Sequence, residues 1–276
     1  MVLAVLWPRV DLRTAVALFT VTGGLIGMGD TLVHGILFMY LYTPHLLPGP
    51  EADGPLGMLL GDYLFVPVAA SALAALAPPW RWPGAAVLVV LMESVERSFV
   101  KAGFFVLLKW PEVATLAVFA IYFAGAVVWL RRFERTGYRG ANRYFVLLTG
   151  ATYIVMVVGA VSSLLLGIWD VQPRLLGASF PDKVLGNNLL MGLPTVALAV
   201  AAAWRGWFDQ ATFYLLTAAG LTVWTLALDW LGMWRSAVFW SPLLQGLSLT
   251  LAVWAAGRLD RWFLAETHPN RARARS

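Results

Sequence analysis

The chain has 276 residues, of which 60% are hydrophobic and only 13% charged, about half the charged share of a soluble domain. Apolar runs recur from end to end, so the sequence is read as an all-α integral membrane protein, not a soluble enzyme or a nucleic-acid binder. The absence of cysteine excludes disulfides, thiol catalysis, lipid attachment through cysteine, and Cys-based zinc or iron–sulfur sites.

Hydropathy predicts eight spans, at about 14–40, 59–78, 84–108, 113–131, 144–169, 184–204, 210–231 and 237–257, each near the roughly 20 residues a bilayer requires. The opening MVLAVLWPRVDLR places its basic residues after a short apolar run, unlike a signal peptide, so the first span is expected to remain in the chain. That span holds Gly23, Gly24, Gly27, Gly29 and Gly35, which predicts a kink, a tilt or close packing. Proline and glycine punctuate the joints, as in LLPGPEADGP, PPWRWPG and KWPE.

Basic residues are distributed unevenly between the two sets of loops. Arg9, Arg13, Arg81, Arg131, Arg132, Arg135, Arg139, Arg143, Arg205 and the C-terminal arginines make 14 on one side, against Lys109, Arg174, Lys183 and Arg235 on the other. Both termini are therefore expected in the cytoplasm. The tail at 264–276 reads as a topology anchor and a surface for anionic lipid.

The third span contains LMESVERSFVKAG. Glu93, Arg97 and Lys101 follow i, i+4, i+8 spacing with Glu96 beside them, and Glu93–Arg97 is in the favourable order for an intrahelical pair. Charges at mid-bilayer cost at least ~2.5–3.5 kcal/mol each, so the stripe is expected to face protein or water. Asp30, His34 and Asp62 fall at similar depth. The candidate ligand-binding set is therefore Asp30, His34, Asp62, Glu93, Glu96, Arg97 and Lys101. At ~1.5 Å per residue, Lys101 and Asp30 share a depth of about 24–26 Å, which makes them the expected interhelical pair. Asp30 and His34 at i, i+4 could also share a divalent metal with Glu93 or Glu96. Without a ligand, the same charges would serve only to lock helices together.

The chain repeats itself. LLGDYLFVPVAASALAALAPPW (59–80) reads like VLGNNLLMGLPTVALAVAAAW (184–204), and each half holds four predicted spans. An even number makes the units parallel: 1–133 with the intramembrane charges, and 144–263, mostly apolar. Aligned on Trp110 and Trp234, the charged stripe becomes Thr217, Gly220, Leu221 and Thr225, and Asp62 becomes Asn187.

Each half resembles a family of small multi-pass membrane proteins found widely in endospore-forming Gram-positive bacteria. The resemblance rests on Gly29-Asp30 late in a span, the Gly61-Asp62 span with Pro67 (Gly186 and Pro194 in the second half), mid-span Glu93, and the tryptophan loops at Trp110 and Trp234. It implies architecture and a bacterial cytoplasmic membrane, but no activity. A weaker similarity links GIWDVQPRLLG and LLGDYLFVP to lycopene cyclase-type helical units, whose paired glutamates have no counterpart here.

No nucleotide-binding, HExxH or GxSxG motif is present, and neither a cofactor nor an oligomeric state is indicated. The expected function is binding or moving a small polar or cationic ligand at an outward-facing intramembrane site. The alternatives are a membrane-embedded enzyme acting on a lipid or isoprenoid, and a non-catalytic partner in envelope or spore assembly.

Overall fold

The computed structural model describes residues 11–37, 39–47, 50–161, 169–171, 187–236 and 239–267. The chain divides into two compact units, Met1–His34 with Phe38–Asn142, and Gly35–Leu37 with Arg143–Ser276.

In the first unit, α1 (Leu12–Asp30) is capped by Asp11, whose carboxylate accepts from the Arg13 and Thr14 amides. Thr20, Thr22 and Thr31 return their hydroxyls to carbonyls four residues back, which satisfies polar groups in an apolar setting. The helix widens into a π-helical turn at Thr31–Ile36. A short strand, β1 (Tyr40–Tyr42), follows, then α2 (Pro50–Leu60), a second π-helical stretch (Gly61–Phe65) and α3 (Val66–Ser71). Pro67 has no N–H to give and its ring crowds the carbonyl four residues back, so the helix opens to π geometry just ahead of it.

Helix α4 (Arg81–Lys101) ends at Gly103, whose φ of +75° suits glycine. The following FVL forms β2 (Phe105–Leu107), antiparallel to β1 with Tyr40 opposite Leu107 and Tyr42 opposite Phe105. Hydropathy had extended the third span to 108. The structure corrects this: apolar, aromatic and β-branched residues beyond the glycine serve a strand as well as a helix. Helix α5 (Glu112–Thr136) completes the unit. Its Glu134 accepts from the two terminal guanidinium nitrogens of Arg81 at 2.6 Å, which ties the start of α4 to the end of α5. Leu18, Val66, Leu73, Met92, Phe123 and Leu130 form the core.

The second unit contains α6 (Ala141–Gly159), β3 (Trp169–Val171), a π-helical stretch (Asn187–Gly192), α7 (Leu193–Arg205), α8 (Ala211–Trp230), β4 (Trp234–Ser236) and α9 (Ser241–Thr267). Pro194 again follows the π stretch. Strands β3 and β4 pair antiparallel, Trp169 with Ser236 and Val171 with Trp234. Helices α8 and α9 approach closely where Gly246 meets Thr222 and Ala218. Arg143 binds Asp260 through two nitrogens at 2.8 and 2.9 Å. Met191, Leu221, Leu228, Trp234, Leu249 and Val253 belong to the core.

Among the described residues, six helical segments are long and apolar enough to cross a membrane by length and composition: Leu12–Val33, Leu56–Ala75, Val113–Thr136, Ala141–Gly159, Asn188–Arg205 and Ala211–Trp230. This is a multi-pass helical membrane protein. Helices α4 and α9, at 21 and 27 residues, are long enough but more polar than those six. The predicted fifth span runs into residues 162–168, and the tail into 268–276; both stretches lie outside the described residues.

Candidate functional site

A cavity of about 140 Å³ opens inside the first unit, among α1, β1, the Gly61–Phe65 stretch, α4, β2 and α5. Three carboxylates line it: Asp30 at the end of α1, Asp62 in the π-helical stretch and Glu96 on α4. Among the described residues that line it there is no lysine, arginine or histidine.

Each carboxylate has a hydroxyl partner. Tyr40 donates to Asp30 Oδ1 at 2.5 Å, Tyr42 to Asp62 Oδ2 at 2.6 Å, and Thr115 to Glu96 Oε1 at 2.6 Å. Thr115 itself accepts from the Trp110 indole at 2.6 Å. Asp30 is only 3% exposed, yet its Oδ2 has no hydrogen-bond partner among the described residues. The Tyr122 hydroxyl is likewise buried, with Thr22 as its polar neighbour.

The local fold explains how the two tyrosines come together. In a strand, residues i and i+2 share a face, so YLY directs both rings to the same side. Tyr40 packs on Phe105 at a centroid distance of 4.8 Å, and Tyr42 packs on the same ring at 5.0 Å. Burial, followed by the neighbouring Asp30 and Asp62 charges, pushes both phenols well above their ordinary range. They therefore stay protonated and act as donors across the physiological range.

The expected charged stripe is divided. Glu93 and Arg97 form the predicted intrahelical pair at 2.7 Å, but neither lines the cavity. The Arg97 side chain is 62% exposed, and Lys101 is exposed at the last turn of α4. Lys101 is not the partner of Asp30; Tyr40 is. The reason is helical geometry. Successive residues turn by about 100°, so Glu96 shares the inward ridge of buried Met92, while Glu93, Arg97 and Lys101 follow the next ridge. A long side chain at a helix end can also extend its charge toward an interface.

His34 lies in the Thr31–Ile36 turn, and its side chain falls outside the described residues. The Asp30–His34 pairing expected for a shared metal therefore also lies outside the described residues. Trp110 and Trp234 also occupy different places: Trp110 follows β2, whereas Trp234 opens β4.

Tyr40, Tyr42, Trp110, Thr115 and Tyr122 complete the site; sequence reading named Trp110 only as a landmark of its loop and did not single out the other four. The available signal was the i, i+2 tyrosine pair in a joint between apolar runs. Comparison with family models, curated proteins and solved structures finds no match to this chain.

Proposed function

We propose that this protein binds, and through that binding moves, a small cationic ligand at the cavity of its first unit, in a bacterial cytoplasmic membrane. The observation that carries the reading is the lining itself: among the described residues it has three carboxylates, no basic side chain, and a buried Asp30 oxygen left without a donor. Buried negative charge without a counter-charge is costly, and a cation offsets it.

The wider architecture is read as eight spans, with α4 and α9 crossing beside the six more apolar segments, and with both termini cytoplasmic so that the cavity opens outward. A parallel repeat is supported by the spacing of the strands. β2 begins 65 residues after β1 (40 to 105), and β4 begins 65 after β3 (169 to 234). On that register Met92 corresponds to buried Leu221, Glu96 to buried Thr225, and Asp30 to Gly159. The second unit thus repeats the framework without the carboxylates, and the site belongs to the first.

Thermal unfolding of the purified chain across a series of chloride salts, at constant ionic strength, tests the reading. At least one small cation should raise Tm in the wild type and lose that effect in Asp30→Asn. If no inorganic or organic cation shifts Tm, cation binding is wrong. Because the chain has no cysteine, single introduced cysteines near 45 and 138 would report topology. The first should label from outside and the second from the cytoplasm.

A further inference from the structure

We infer that the ligand of this cavity is a small organic ammonium ion carrying at least one N–H, and that Asp30 Oδ2 is its anchor. The inference rests on the cation-binding reading above and narrows it.

It follows from an account of donors and acceptors. The Tyr40 and Tyr42 hydroxyls give their protons to Asp30 and Asp62, the Trp110 indole gives its proton to Thr115, and Thr115 gives its own to Glu96. A hydroxyl has one proton and an indole one N–H, so these donors are committed. Among the described lining residues, the Tyr122 hydroxyl alone is not directed at one of these groups, and Thr22 is its polar neighbour. Among the described residues, Tyr42 is the one donor to Asp62 and Thr115 the one donor to Glu96. The cavity therefore offers acceptor oxygens and asks its occupant for donors.

The rest of the lining restricts the cation. An N–H reaches an oxygen at about 2.8 Å, and an alkyl chain spans the remaining space. The wall is also largely apolar and aromatic, with Ile26, Phe119, Phe105 and Trp110 beside the carboxylates. Aromatic rings attract cations, and apolar walls suit a short hydrocarbon body. At about 140 Å³, the space is smaller than the roughly 300–1,000 Å³ of drug-sized pockets, so the occupant has only a few heavy atoms.

The test is isothermal titration of the full chain in nanodiscs with ethylammonium, tetramethylammonium, potassium and magnesium chlorides at fixed ionic strength. Ethylammonium should bind at least tenfold more tightly than the other three. Tetramethylammonium carries the same charge without an N–H, so equal affinity for it overturns the inference, as does equal or tighter binding of potassium or magnesium. Those outcomes leave the cation site itself standing, whereas absence of binding by all four overturns both readings. Asp30→Asn should weaken ethylammonium at least tenfold. If that variant does not fold, Tyr122→Phe, which keeps every carboxylate, serves instead: preference for ethylammonium over tetramethylammonium should survive it, and loss of the preference would assign the anchor to Tyr122.

Discussion

Tyr42 in β1 donates its hydroxyl to Asp62 Oδ2 at 2.6 Å, across 20 residues of chain. The bond joins a joint between spans to the π-helical opening ahead of Pro67. Leaving a buried carboxylate without its donor costs about 1–3 kcal/mol. Tyr42→Phe should therefore lower the thermal stability of the detergent-purified chain by about that amount. In a double-mutant cycle with Asp62→Asn, the two changes should couple; strict additivity would show that the pair does not act together.

The ion pairs of the first unit should differ in weight. Arg81 is almost fully buried, its side chain 4% exposed, whereas Glu134 is 37% exposed. Glu134→Gln leaves the guanidinium with weaker acceptors, and after a discount for the solvated end the expected loss is about 1–3 kcal/mol. Lys101 is exposed at the end of α4, so Lys101→Met should change stability by no more than ~0.5 kcal/mol. Chemical denaturation of the two variants side by side checks the contrast, and a Lys101→Met loss as large as that of Glu134→Gln would refute it.

Asp53 organises the joint before the second span. Its carboxylate accepts from the amides of His45, Leu46 and Leu47 at 2.7, 2.7 and 2.9 Å. Burial works against its ionisation, but the three amide donors outweigh it and hold the group below its ordinary range. A depressed folded-state pKa means that the stabilisation is fully present above the unfolded value of about 3.9 and is lost as pH falls through the lower folded value. Hydrogen exchange at residues 45–47 should therefore show protection at pH 6 that fades in acid. Asp53→Asn should reduce that protection already at pH 6; unchanged protection would count against the carboxylate's role.

Two glycines of the second unit should respond oppositely to alanine. A Cβ on Gly246 would fall 2.2 Å from Thr222 Oγ1 and 2.9 Å from its backbone nitrogen, while one on Gly220 would meet nothing within 4 Å. Gly246→Ala must force α8 and α9 apart and should cost about 1–3 kcal/mol. Gly220→Ala should stabilise by about 0.4–1 kcal/mol, because alanine has less backbone entropy to lose. Melting curves of the two single variants give the sign directly.

What the sequence determined by itself is what depends on composition and near neighbours. Long apolar runs define a multi-pass helical protein because a bilayer admits only backbones that satisfy their own hydrogen bonds. The Glu93–Arg97 pair was legible because i, i+4 residues meet on any helix. Asp30, Asp62 and Glu96 stood out because carboxylates are rare in such segments. Tertiary structure decided which of these charges share one space. It turned Glu96 inward beside Met92 and left Lys101 exposed, a difference of one helical ridge that depends on packing against α5. It paired β1 with β2 across about 65 residues (40 to 105), and so set Tyr40 and Tyr42 against Asp30 and Asp62. Hydropathy is blind to such pairing, because a three-residue strand has no periodicity to read and its partner is chosen by where the flanking helices bring the chain.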